Sequence, residues 1–195
     1  GSAGIAITEF LLSSGAKDVV VCDRLGILQD DENFNRAQRS LALRTNPRGV
    51  KGSLKDAIKD ADAFIGVSAK NVLSQDMVRS MSGDAIVFAM ANPDPEILPD
   101  LALEAGARIV ATGRSDFQNQ INNVLAFPGI FRGALNSRAS DINDSMKIAA
   151  SDALANLVEY PDETHIIPEP FDKRVVPAVA AAVKQAAIDS GVARI

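Results

Sequence analysis

Gly1 and Gly4 frame a four-residue turn, Gly-Ser-Ala-Gly, that runs directly into the apolar stripe Ile5, Ile7, Phe10, Leu11 and Leu12. Glycines at this spacing before a helix let the backbone close on a pyrophosphate, while the helix's first N–H groups and partial positive charge face it. Alone the pattern is weak, because helix starts often carry Gly-Ser and the dipeptide also arises as a cloning remnant. Its context strengthens it. The helix is predicted to stop at Gly15, which suits a left-handed cap. Asp18-Val19-Val20-Val21-Cys22-Asp23 follows, a β-branched run ending in an acid. Asp23 falls where a dinucleotide-binding βαβ unit places the carboxylate that accepts hydrogen bonds from a ribose. Gly1, Ser2, Ala3, Gly4, Asp23 and Arg24 are therefore the candidate cofactor-binding residues of this end. Only the second half of a G-x-G-x-x-G fingerprint is present, so the first strand of the fold is expected to be missing and the chain to be a portion of a larger enzyme.

Further along, apolar β-like runs alternate with helical patterns, as parallel βαβ crossovers require. Ala63-Phe64-Ile65-Gly66-Val67, Ala85 to Met90 and Arg108 to Thr112 read as strands. Ser53 and Ser74 are placed to cap helices, and Pro99 suits the first turn of a helix ending at Gly106. The polar stretch from Leu28 to Lys51 reads as a helix plus loop. Beyond Phe127 the pattern becomes helical: from Pro128 through Leu135, from Ile142 to Tyr160, and from Asp172 to Ser190 with Gly191 as a stop. The predicted fold is α/β, a Rossmann-type doubly wound parallel sheet with extra C-terminal helices. It is read as one domain over 1–195, with an alternating core in 1–127 and a mainly helical part in 128–195.

Composition narrows the function. Of 195 residues, 47% are hydrophobic and 23% charged, with a formal net charge of −5. That is enough for a sizeable core, and no basic cluster of the kind that neutralises nucleic-acid phosphates is present. No apolar run reaches the roughly 20 residues of a membrane span. The single cysteine, Cys22, precludes an internal disulfide, fits a reducing cytoplasm, and reads as an inert core thiol at a strand end.

Ligands of doubly wound sheets sit beyond the carboxyl ends of the strands. There the sequence offers Gly66-Val67-Ser68-Ala69, then Asn92-Pro93-Asp94-Pro95, then a loop reaching Asn119-Gln120-Ile121-Asn122-Asn123. Amide side chains both donate and accept, which suits a carboxylate, a hydroxyl or a carboxamide; a lone Asn is also a common turn residue. His165, the only histidine, has no acid or nucleophile pattern near it and reads as structural or exposed. Arg44, Arg48 and Lys51 follow the ribose acid where a cation could meet a 2′-phosphate, but solvated loop charges explain them equally well. Asp94 and Glu96 resemble a carboxylate pair but read as the start of the next turn.

Several segments carry a family resemblance. Asn92-Pro93-Asp94-Pro95-Glu96, Asn119-Gln120-Ile121-Asn122-Asn123-Val124 and Phe127-Pro128-Gly129-Ile130-Phe131-Arg132-Gly133 resemble the C-terminal, NAD-binding half of malic enzyme in its short bacterial form, as do Asp141 to Lys147 and Phe171 to Val175. The resemblance runs from Gly1 to about Arg194. It implies oxidative decarboxylation of (S)-malate to pyruvate and CO₂ with reduction of NAD or NADP. On it, Gly66, Ser68 and Asn92 line the cofactor, and Asn92, Asn122 and Asn123 hold malate or the nicotinamide end. It places the catalytic lysine, the tyrosine and the Mg²⁺ or Mn²⁺ ligands before Gly1. No catalytic or metal-binding residue is then expected in this chain, which alone should be inactive; the missing N-terminal half is its expected partner, in a homo-oligomer. Two rival readings are a non-catalytic nucleotide-binding or regulatory module and another Rossmann dehydrogenase acting on hydroxy or amino acids, the latter not predicting Asn-Asn-Val-Leu-Ala-Phe-Pro.

Overall fold

Helix α1, Ser2–Ser13, begins the chain in a computed structural model that describes residues 1–195. It ends where the sequence predicts, with Gly15 at φ +96°. The following run is extended but joins no parallel sheet. Strand β1, Cys22–Asp23, pairs antiparallel with β2, Gly26–Ile27. The tight return is made by Gly26 at φ +106°, a conformation that disfavours any Cβ. Asn46 N donates to Val19 O and Leu28 N to Val21 O, so the rest of the run is satisfied by loops.

Helix α2, Arg36–Ala42, is started by Asn35, whose side chain accepts from Gln38 N in a capping box. Helix α3, Leu54–Ala57, is started by Ser53, whose main-chain N and Oγ both donate to Asp56 Oδ2. Strand β3, Ala63–Gly66, pairs in parallel with β4, Ile86–Ala89, and β5, Ile109–Thr112, completes a three-stranded sheet in the order β3-β4-β5. The crossovers hold α4, Gln75–Arg79, capped by Ser74, and α5, Pro99–Glu104, with its proline in the first turn.

The chain divides into two compact units, Gly1–Ala111 and Thr112–Ile195. In the first, Val87 and Ala89 of β4 are fully buried beside Ile58, Leu73, Val78, Ile97, Ala102 and Val110. A second cluster, Leu28, Phe34 and Leu41, packs with Ile5 and Leu12 of α1. Burying Val87 or Leu41, each 0% exposed, stabilises the fold by about 1.5–3 kcal/mol per side chain.

The second unit holds a single 3₁₀ turn, Asn123–Leu125, and helices α6, Phe127–Asn136, α7, Asp144–Ala155, and α8, Val175–Asp189. Helix α7 starts later than the predicted Ile142 because Asn143 caps it, its Oδ1 accepting from Met146 N at 3.1 Å, and it ends at Ala155, short of the predicted Tyr160, with Asn156 as its C-cap. Pro177 is the third residue of α8, where a helix leaves its N–H groups unpaired and a proline costs little. Gly129 and Gly133 let α6 lie against α8: a Cβ on Gly129 would sit 2.6 Å from Val179 Cβ, and one on Gly133 2.7 Å from Ala180 O. Leu125, Met146, Val175, Val179 and Val183 fill the core between these helices.

Candidate functional site

Helix α1 begins without a capping side chain. Its first N–H groups have no acceptor within the helix, which favours an anion there. Ser2 and Ala3 are exposed, and Gly4 faces only Val67, since a Cβ placed on it would meet Val67 Cγ2 at 3.8 Å. The turn opens on a small pocket lined by Gly1, Gly4, Ile5, Val21, Cys22, Asp23, Leu28 and Gln38. Glycine turn and acid, 19 to 22 residues apart in the chain, thus share one pocket.

Asp23 is held by two donors. Its Oδ1 accepts from Arg24 N at 2.7 Å, and its Oδ2 from Gln38 Nε2 at 2.9 Å. The carboxylate is 19% exposed, so it is fixed yet reachable. Arg24 contributes its main chain to this arrangement, and the residue is exposed. Gln38 is a site residue that the sequence reading missed. Its available signature was the Asn35-x-x-Gln38 capping box: Gln38 Oε1 accepts from Asn35 N at 3.0 Å, which orients the amide nitrogen toward Asp23.

Beside it, the Cys22 thiol is pushed up to about 11, first by burial and then by the negative charge of Asp56. It stays protonated at neutral pH, which suits an inert thiol. Of the cations considered for a 2′-phosphate, Arg44 pairs with Glu9, and Arg48 Nε lies 2.8 Å from Asp18 Oδ2.

At the carboxyl ends of β3 and β4 the two loops are joined. Ser68 and Asn92 are exposed, and the Asn92–Pro93 peptide is cis. Glu96 lies in the bend ahead of α5, where the sequence reading puts it, but its side chain is buried. It is 0% exposed, and its carboxylate accepts from Ser68 N at 2.8 Å, Ser68 Oγ at 3.3 Å and Ala91 N at 3.0 Å. Local pattern carries no sign of these bonds, because the Ser68 partner lies 28 residues away.

In the second unit the amide-rich loop divides by role. Asn119, 7% exposed, donates from Nδ2 to Glu163 O at 2.9 Å and accepts at Oδ1 from Ile166 N at 3.0 Å, so its amide holds two loops together. Asn122 caps the 3₁₀ turn, its Oδ1 accepting from Val124 N at 3.0 Å, and Asn123 is exposed. His165 is exposed in a turn closed by main-chain bonds with Asp162. No group of three or more His, Cys, Asp or Glu side chains placed to hold a metal ion is found in the chain. No helix is long and apolar enough to cross a membrane.

Comparison with known proteins identifies the family of the chain. Residues 7–188 match the family model described as malic enzyme, NAD binding domain. The chain is 55% identical to the bifunctional malic/malolactic enzyme of Bacillus subtilis, covering 100% of this chain and 48% of that protein. It is 52% identical to the NAD-dependent malic enzyme of Geobacillus stearothermophilus, covering 100% and 41%. Among solved structures, the NAD-dependent malic enzyme of Thermotoga maritima superposes with a TM-score of 0.89 at 48% identity, over 93% of this chain and 48% of that one. The malic enzyme of Entamoeba histolytica does so with 0.95 at 39% identity, over 100% and 42%. The chain thus spans about half, or less, of the length of these relatives.

Proposed function

The chain belongs to the malic enzyme family as its NAD-binding domain, and from that premise we propose that it holds NAD or NADP for the oxidative decarboxylation of (S)-malate to pyruvate and CO₂. The observation that carries the reading is the pocket in which Asp23, oriented by Gln38, faces the Gly1–Gly4 turn. The uncapped N–H groups at the start of α1 receive the pyrophosphate, and Asp23 accepts from the ribose hydroxyls. Ser68 and Asn92 contact the nicotinamide end. When bound, the nicotinamide supplies the hydride acceptor.

Asn122 and Asn123 are assigned to malate. Because Asn122 Oδ1 is committed to Val124 N, the amide presents its NH₂ as a donor, the polarity a substrate carboxylate needs. Orienting the substrate in this way lowers the entropic part of the barrier. Proton transfer and the Mg²⁺ or Mn²⁺ that stabilises charge as CO₂ departs fall, on this reading, to groups outside the chain. The reading includes a homo-oligomeric, cytoplasmic enzyme and an inactive isolated domain.

Within the reading, NAD is preferred over NADP. The Asp23 carboxylate repels a 2′-phosphate, and Arg44 and Arg48 are already paired with Glu9 and Asp18. Calorimetric titration of both cofactors tests this, with NAD expected to bind about tenfold or more tightly and Asp23→Ala to narrow the gap. Saturable binding of neither cofactor, or malate-dependent turnover by residues 1–195 alone, would overturn the assignment.

A further inference from the structure

We propose that Glu96 is a positioning residue that sets the spacing of the β3 and β4 end loops, and through them the seat of the nicotinamide half of the cofactor. The inference rests on the dinucleotide reading above and adds to it a residue that touches neither substrate nor cofactor.

A fully buried carboxylate is an expensive way to fill a core, since its desolvation must be offset by hydrogen bonds. An apolar side chain of similar volume would pack at lower cost. What the carboxylate supplies instead is two acceptor oxygens on one rigid fork. Oε1 takes the main-chain N–H of Ser68, beyond β3, and Oε2 takes that of Ala91, beyond β4. Each loop is therefore referenced to the same rigid group. Ser68 and Asn92, the latter directly following Ala91, are the exposed residues these loops present.

The rest of the neighbourhood is shaped around this clamp. A Cβ on Gly66 would lie 2.4 Å from Glu96 Cδ, so the last residue of β3 has no side chain in order to admit the carboxylate. Leu73 N donates to Glu96 O at 3.1 Å and Asn71 N to Pro95 O at 3.3 Å, fastening the same two loops farther out. The loops follow adjacent parallel strands, and their position beyond the carboxyl ends is where such sheets bind ligands. Asp23 lies on the β1–β2 hairpin, a different element. A disturbance at Glu96 should thus reach one half of a dinucleotide and spare the other.

The test uses the full-length enzyme and two variants. Glu96→Gln keeps the volume but turns an amide NH₂ toward one of the two N–H donors, so one loop loses its acceptor. KM for the dinucleotide is expected to rise about tenfold or more, since a hydrogen bond to a charged group is lost. The inhibition constant of ADP-ribose, which lacks the nicotinamide, should change by less than about twofold, as should the melting profile's cooperativity. Glu96→Asp retains both oxygens one methylene farther back and should recover part of the loss. Parallel loss of dinucleotide and ADP-ribose affinity, or no change in either, overturns the proposal. Failure of both Glu96 variants to fold would assign the residue to the core and overturn it as well. Absence of saturable cofactor binding by the unsubstituted enzyme refutes the parent reading instead.

Discussion

Gln38 Nε2 donates to Asp23 Oδ2 at 2.9 Å, while Gln38 Oε1 accepts from the main chain of Asn35. One amide therefore couples the start of α2 to the acid of the pocket at the glycine turn. The amide's orientation follows from the capping box, because only its NH₂ end can serve a carboxylate. Asp23 needs such a fixed partner if its free lone pairs are to meet a ribose in one geometry.

Replacing Gln38 by Met, close in volume and without hydrogen-bonding groups, should weaken cofactor binding about five- to tenfold and lower stability by about 1 kcal/mol through the lost cap. Isothermal titration beside a urea melt separates the two effects. Unchanged affinity with a lowered midpoint would confine Gln38 to helix capping.

Gly4 and Gly129 make opposite predictions although both lie in helices. A methyl on Gly4 meets only Val67, so Gly4→Ala should fold at least as well as the parent, with a gain of up to about 1 kcal/mol in helix propensity. Gly129→Ala forces a methyl to 2.6 Å from Val179 Cβ, and overpacking of that kind costs about 1–3 kcal/mol. Thermal melts of the two variants should therefore diverge. In Gly1→Ala, where a Cβ meets nothing within 4 Å, stability should hold while cofactor affinity falls about tenfold or more, because that glycine is where the backbone approaches the pyrophosphate. Normal binding by Gly1→Ala would remove the turn from the site.

The Cys22 thiol, pushed up to about 11 from an ordinary 9.0, should resist alkylation. At pH 8 its thiolate fraction is about a hundredfold below that of a free cysteine, and iodoacetamide labelling should be slower by a similar factor. The folded value is raised, so its contribution to stability is complete below pH 9 and is lost as pH rises through about 11. Urea midpoints should fall across that alkaline window and should do so less in Cys22→Ala. Rapid labelling at pH 8 in the folded protein would contradict the burial that raises the thiol.

Local rules and family motifs carried the reading of the chain a long way. Gly15, Ser53, Ser74, Pro99 and Gly106 mark element ends through preferences that act within a few residues, and these ends lie where those residues put them. The three parallel strands were legible because each is a short apolar run between turn residues. Asp23 was legible through its spacing from the glycines. The short extent of β1 was not, because a strand needs a neighbour and here the neighbour is a hairpin return at Gly26. Tertiary structure alone decided the roles of Gln38, Glu96 and Asn119. Each acts on a partner far along the chain, 15 residues away at Asp23, 28 at Ser68 and 44 at Glu163, a range over which sequence pattern carries no hydrogen-bond information. Only folding, by bringing these segments together, turns a turn-like Glu into a buried clamp and a ligand-like Asn into a structural tie.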